Sequence, residues 1–391
     1  MDLRHRTRAR VALVAAAATL LTACGGGLGS EESSDSGPVK IGLLVPQSGV
    51  YKALGDDMKN GYELYLDQHD GKLGGREIET TTADEGETAD SGKAAAEKLV
   101  KQDNVLAVTG VVSSAVMNGT ADLFEEGTPL VGSNASPTTL TDAKYIWRTS
   151  YVNDEPGKAL GAYVAEKVDG PVYLLAADYQ AGIDEVTGFK ETFLAAGGKV
   201  ADEVYTPFPT TTNFQPFLAN LEKSGAKAVF TFYAGGAAVD FVKQYEQFGL
   251  SDKVAHYSAG FLTEGGVLDA QAAAAEGTFT AMNYSADLDN DVNAEFVKAY
   301  EEAYDAKPTT YAMASYDAAQ VLDKAIEAAG DDLTSETLND AIAEVGEIDS
   351  PRGAWSFNDN GTPVQTWYLR EVQAADGGFS NVVIEELGEL G

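Results

Sequence analysis

"VKIGLLVPQSGVYKALGDDMKNGYELYLDQHDG", Val39 to Gly71, carries one strand and one helix, and much of the chain repeats that unit. Val39–Val45 is almost wholly apolar, the pattern of a strand buried on both faces. Met58, Tyr62, Tyr65 and Leu66 then recur at helical spacing on one face, and Gly71 ends the element. Strands and helices in alternation build a parallel sheet with helices laid over it, so this stretch sets the fold class as α/β.

Strand, helix and strand follow again as Glu77–Ala83, Thr88–Lys101 and Val105–Gly110, with further strands at Pro129–Val131 and Tyr145–Arg148. A second series opens at Val172–Ala176 and continues through strands Val200–Tyr205, Ala228–Phe232 and Val254–Ser258. Its helices are marked by Ile183, Val186, Phe189 and Phe193, by Phe214–Leu221, and by Phe241, Tyr245 and Phe248. Two successive series predict two lobes, each with a parallel sheet. The last third reads as helices at Ala294–Tyr304, Met313–Ala329 and Ser335–Val345, then strands at Gly353–Phe357, Gln365–Val372 and Asn381–Glu385. Strands this sparse do not make a third domain, so the segment is expected to complete both lobes. The chain then crosses between them more than once, which makes a hinge.

Before the first strand, Arg4, Arg6, Arg8 and Arg10 precede an apolar run, Val11–Leu21, that is shorter than the roughly 20 residues needed to span a bilayer. This predicts a secretory signal peptide over residues 1–23. Leu21-Thr22-Ala23-Cys24 resembles a bacterial lipobox, in which the thiol is acylated and becomes the new N-terminus; a spare thiol packed in a core is the alternative. Residues 24–37, rich in Gly, Ser and Glu, predict a flexible tether. Cys24 is the only cysteine, so no disulfide framework stabilises the rest, although the expected place is the oxidising, outer side of the cell membrane.

The chain has 27 basic and 61 acidic side chains; removal of residues 1–23 takes four arginines and Asp2, leaving a formal charge of −37. That balance repels nucleic acid and anionic lipid and favours solubility, so the lipid anchor is the expected membrane contact. No catalytic pattern stands out. Gly86–Lys93 nears a P-loop but is one residue too long between its glycines, with Ala94 in place of the hydroxyl. His256–Gly260 lacks the first glycine of a nucleophile elbow. His69 and His256, the two histidines beyond residue 23, have no neighbours at metal-ligand spacing, so neither an enzyme nor a metal or cofactor site is expected.

Ligands of open parallel sheets sit outside the carboxyl ends of strands. Val105–Gly110 runs into Ser113 and Ser114, and Pro129–Val131 into Ser133, Asn134, Ala135 and Ser136. These small residues, hydroxyls and backbone amides near a helix start suit an anion such as a carboxylate. In the second series the strand ends carry Tyr179 and Tyr233. Each has a plainer alternative: the serines as helix caps, Tyr179 as a half-buried loop residue, Tyr233 as core.

The segments "IGLLVPQSGVYKALGDDMKNGYELYLDQHDGKLGG", "GVVSSAVMNGTADLFEEGTPLVGSNASPTTLT", "YIWRTSYVNDEPGKALGAYV", "FVKQYEQFGL" and "SYDAAQVLDKAI", in this order, resemble the leucine/isoleucine/valine-binding type of substrate-binding protein that serves bacterial ABC importers. The resemblance covers nearly all of Val39–Val372 and implies a type I periplasmic-binding fold, two Rossmann-like lobes joined by three crossovers. These are expected near Arg148–Tyr151, Thr280–Tyr284 and Ser350–Trp355, giving lobes of 38–149 plus 284–350 and 150–283 plus 351–391. It further implies that Ser113, Ser114, Asn134, Ala135 and Ser136 grip a carboxylate, that Tyr179 closes over it, and that a monomer delivers the ligand to permease subunits. The ammonium-pairing glutamate of amino-acid-binding members falls near Gly260, with Glu264 the nearest acid, and their pocket aromatic aligns with Leu54, where Tyr311 can contribute. A ligand sensor of the same fold, uncoupled from transport, is the alternative.

Overall fold

In the computed structural model, which describes residues 37–375 and 377–391, β1 (Val39–Val45) lies inside a six-stranded sheet. The expected signal peptide, Cys24 and all of the tether but Gly37 lie outside the described residues. Ile41 and Leu43 share an apolar cluster with Met58 and Tyr62 of α1 (Lys52–Gln68), while Leu44 joins Leu99 and Val116 in a second cluster. Neighbouring side chains of a strand point to opposite faces, so one unbroken apolar run serves two helix layers. Burial of each such leucine or isoleucine stabilises the fold by about 1.5–3 kcal/mol.

The sheet is completed by β2 (Lys72–Leu73), β3 (Arg76–Asp84), β4 (Ala107–Gly110), β5 (Leu130–Gly132) and β6 (Ile146–Arg148), in the order β2-β3-β1-β4-β5-β6. Helices α2 (Ala89–Lys98) and α3 (Ser114–Glu125) connect its strands. The chain next runs through α4 (Glu155–Lys167), β7 (Pro171–Asp178), α5 (Gln180–Ala195), β8 (Lys199–Pro207), α6 (Gln215–Ser224), β9 (Ala228–Phe232), α7 (Gly235–Gln247), β10 (Ala255–Ala259), α8 (Gly266–Gln271) and β11 (Phe279–Met282). After α9 (Asp291–Tyr304), α10 (Thr310–Ala329) and α11 (Ser335–Ala343) come β12 (Gln365–Ala375) and β13 (Gly378–Leu390). The second sheet has seven strands in the order β13-β12-β11-β10-β9-β7-β8.

Both sheets are mixed, not wholly parallel as the sequence suggested. β2 pairs antiparallel with β3, and β12 runs antiparallel to β11 and β13. A two-residue link between β2 and β3, and an equally short one between β12 and β13, leave no length for the crossover that parallel pairing needs. Gly353–Phe357 is also not a strand: only isolated bridges, Ile348 to Trp355 and Phe357 to Pro363, form there. The expected crossover at Thr280–Tyr284 begins instead after Met282, because Phe279–Met282 is β11.

α10 returns to the first lobe and lies against α1. A methyl group added at Gly61 would stand 2.0 Å from the Ala312 carbonyl oxygen, so only glycine permits this approach. The Tyr65 hydroxyl donates to Asp323 on the same helix at 2.8 Å.

Where the chain passes between lobes, polar groups gather out of water. The Ser150 carbonyl accepts from Asn283 Nδ2 (2.9 Å), Arg352 Nη1 (3.0 Å) and Gln365 Nε2 (2.8 Å). Arg352 also meets Asp317 at 2.9 Å, and Asp317 accepts from Ser350 and the Trp355 indole. One carbonyl thus joins residues of three connecting segments, and most of the buried donors find acceptors, although Arg352 Nε has none.

Candidate functional site

The loop from β4 to α3 does not leave its amides free. Glu85, fully buried at the end of β3, accepts the Val112 and Ser113 N–H groups at 2.8 and 2.9 Å. Burial pushes its carboxyl up to about 8 against the pull of those two bonds. The next residue, Ser114, turns toward the space between the lobes.

There Asn153, two residues ahead of α4, links both lobes. Its Nδ2 donates to Ser114 Oγ at 2.9 Å and to Asp184 of α5 at 3.1 Å, while its Oδ1 accepts the Ser136 N–H at 3.1 Å. Asn134 donates to the Val112 carbonyl (2.9 Å) and accepts the Tyr151 hydroxyl (3.1 Å). Together these groups form a polar floor with no formal cation.

Above it lies a narrow cleft walled by Tyr51, Tyr151, Tyr179, Phe232, Phe261 and Tyr311. The rings touch in series: Tyr151 and Phe261 lie 5.2 Å apart, Phe232 and Phe261 5.9 Å, Phe261 and Tyr311 6.1 Å. At one end the Tyr51 and Tyr179 hydroxyls meet across the lobes at 3.3 Å, and Phe208 stacks on Tyr179 at 4.2 Å. A second latch joins Thr138 to Asp184, with the hydroxyl donating at 2.8 Å and the backbone N–H at 3.2 Å. The lobes are therefore closed on each other. No Lys, Arg or His lines the cavity, and Glu185 is its one carboxyl group. Among the described residues, no cluster of three or more His, Cys, Asp or Glu could hold a metal ion.

Of the residues expected at a site, Ser114, Asn134, Ala135, Tyr179 and Tyr311 line this cavity, as does Leu54. Four others do not. Ser113 is turned back by Glu85, and the Ser136 N–H is taken by Asn153, both serines being buried with unpartnered hydroxyls. Tyr233 follows Phe232 directly, so strand alternation sends it to the opposite side, where it packs on Phe214 (5.0 Å) and Phe241 (4.9 Å). It borders a second, largely apolar hollow, lined also by Phe208 and Phe214.

Gly260 is backed by Arg370: a methyl group there would lie 2.6 Å from Arg370 Nη2. No acidic side chain fits without moving that guanidinium. Glu264 does not face the cavity either; it pairs with Arg370 at 2.9 Å and accepts the Thr310 N–H at 2.9 Å. Residues missed from sequence include Asn153, Glu185 and Phe232. Phe232, last in its strand, was findable by the strand-end rule read one residue earlier.

The closed two-lobed α/β architecture around a cation-free cleft is that of a solute-binding protein. The chain belongs to the periplasmic binding protein family, whose description matches residues 38–378. It is 29% identical over 349 residues to the Leu/Ile/Val-binding protein homolog 6 of Brucella melitensis, covering 87% of this chain and 89% of that one. It is similar to a solute-binding protein of an ABC transporter from R. palustris in complex with benzoate, with 33% identity and a TM-score of 0.85 over 90% of this chain and 97% of that one. A second R. palustris solute-binding protein, in complex with 4-hydroxybenzoate, gives 30% identity and a TM-score of 0.84 over 90% and 98%.

Proposed function

We propose that this chain is an extracytoplasmic, lipid-anchored binding protein that captures a small aromatic carboxylate between its lobes and delivers it, as a monomer, to the permease of an ABC importer. The observation that carries the reading is the cavity itself: six aromatic rings around a floor of Ser114, Asn134 and Asn153. The Ser114 hydroxyl and the second Asn134 N–H are left to hold a carboxylate by charge-assisted hydrogen bonds, while Asn153 orients Ser114, and the rings offer stacking surface to a flat ligand. Tyr179 and Tyr51 close over it, and Leu54 and Tyr311 bound it. The benzoate and 4-hydroxybenzoate complexes of similar proteins support the same ligand class.

A second reading, a branched-chain amino acid, is favoured by the names of the Brucella relatives. Against it, the acid nearest the expected ammonium position, Glu264, is already neutralised by Arg370. A buried ammonium needs an acceptor of its own.

The test is a thermal-shift series with benzoate, 4-hydroxybenzoate, leucine and 4-methylpentanoate. A ligand at 100 times its Kd should stabilise by about 2.7 kcal/mol. Shifts with the benzoates and none with leucine are expected; the reverse assigns the site to amino acids. Ligand recovered chemically unchanged after incubation agrees with binding without catalysis. Transport rather than sensing is supported if uptake of the same acid in cells is lost with the gene.

The anchor rests on Cys24 and the lipobox pattern, and no described helix is long and apolar enough to cross a membrane. An acyl anchor holds by burying chains at roughly 0.8 kcal/mol per CH₂. Cys24→Ala should release the protein from sedimented membranes; retention there would refute the anchor.

A further inference from the structure

Glu185 stands one helical turn after Ala181 on α5, and both face the cavity. Its side chain is 1% exposed. Oε2 accepts the Gly157 N–H at 3.0 Å, in the first turn of α4, while Oε1 is buried with no partner at all. A buried carboxylate oxygen without a donor is costly, whereas a hydroxyl there would be a donor in search of an acceptor.

The surroundings oppose a negative charge. Asp184 faces Glu185 from its own helix, Asp154 and Glu155 from the start of α4, and Tyr151 from the segment before it. The nearby cation, Lys158, is engaged by Asp154 at 2.8 Å and Glu191 at 3.7 Å. Burial first, and then these acids, raise the Glu185 carboxyl well above the usual range. A ligand carboxylate would add one more negative charge to a cavity with no Lys, Arg or His in its walls.

We propose that Glu185 contacts the ligand and selects for it as a neutral carboxylic acid, its Oε1 carrying the proton and donating it to a carboxylate oxygen of the bound acid. Oε2 stays tied to Gly157, which fixes the direction of the donor. In an open, hydrated cleft the group is ionised at neutral pH, so closure on the ligand takes up one proton from solvent. That proton offsets the ligand's charge, the role a cation would otherwise fill. This inference rests on the carboxylate reading of the site.

The test is calorimetric titration of the full mature protein with benzoate at pH 7.5, in two buffers of different ionisation enthalpy. Wild type should take up close to one proton per ligand, and its affinity should fall toward about tenfold per pH unit between pH 7 and 8.5. Glu185→Gln keeps a donor in the same place, so it should bind benzoate at pH 7 within about fivefold of wild type, with no uptake and no pH dependence. Ser114→Ala, a control for the floor, should weaken binding while uptake persists. Benzoate binding without proton uptake, or uptake unchanged in Glu185→Gln, overturns the proposal. So does leucine binding with proton release that Glu185→Gln abolishes, which would make Glu185 an ammonium partner. If wild type binds no carboxylate, the reading of the site fails and this inference with it.

Discussion

Tyr151 and Tyr311 face one cavity and differ in what their hydroxyls do. The Tyr151 hydroxyl donates to Asn134 at 3.1 Å, while that of Tyr311 is buried without a partner. Tyr311→Phe therefore removes no bond from the ligand-free protein. Its melting temperature should hold or rise slightly, and benzoate affinity should drop by about 1 kcal/mol, roughly fivefold, as the hydroxyl's ligand contact goes. A stability loss with unaltered affinity would place that hydroxyl in the fold's service instead. Glu264 presents the opposite case, for its charge is spent on Arg370. Glu264→Gln leaves a guanidinium buried without its carboxylate, and guanidinium-chloride unfolding should show a loss of about 3–5 kcal/mol. The ratio of benzoate to leucine affinity should stay as it is; a shift in that ratio would mean that Glu264 reaches the ligand. Ser114, Asn134 and Ala135 were legible in the sequence because strand ends announce themselves. Glu185 was not, since one acid among 61 on a helix gives no sign that it faces inward.

At the scale of elements, legibility followed periodicity. β1 and α1 declare their faces within 30 residues, and the βα series gives the succession of strands but not their order, in which β1 lies between β3 and β4 and β7 between β8 and β9. Strand direction at the C-terminal edge was missed because the expected bounds, Gln365–Val372 and Asn381–Glu385, hid how short the link between β12 and β13 is, and a link that short forces antiparallel pairing. Gly353–Phe357 has strand composition, yet Arg352 and Trp355 commit the segment to Asp317 instead of to a sheet. The packing of α1 on α10 was equally hidden, for nothing near Gly61 indicates a helix more than 240 residues away. Gly61→Ala puts a methyl group against backbone, where no rotamer can relieve it. Overpacking of this kind costs about 1–3 kcal/mol, and the midpoint of chemical unfolding should fall accordingly. Gly71→Ala, with no atom near its added carbon, has only its own backbone strain to report.

Across the whole molecule, several buried acids act on stability in the same direction. Burial, as the leading cause, raises Asp57 to about 7 and Glu85 and Glu155 to about 8. Unfolded, such groups titrate near 4, so between roughly pH 4 and 8 the folded chain holds more protons than the unfolded one. Stability from these groups is present at the acid end of that window and is lost as pH rises through 7 to 8. The melting temperature should therefore be higher at pH 5.5 than at pH 8.5, and a profile rising across that interval would contradict this assignment.

The Ser150 carbonyl, shared by three donors, has a mechanical meaning. Segments fastened at one atom can rotate about it but cannot slide past one another, so the lobes behave as jaws on a pin. Tyr311 stands at the pinned end, next to Thr310, whose hydroxyl donates to Asn283 at 3.0 Å. Extra width on a ligand beside Tyr311 opens the angle between the jaws and parts the Tyr51 and Tyr179 hydroxyls that meet between them. A permease that must grip both jaws at once would thus gauge the girth of the cargo without ever touching it.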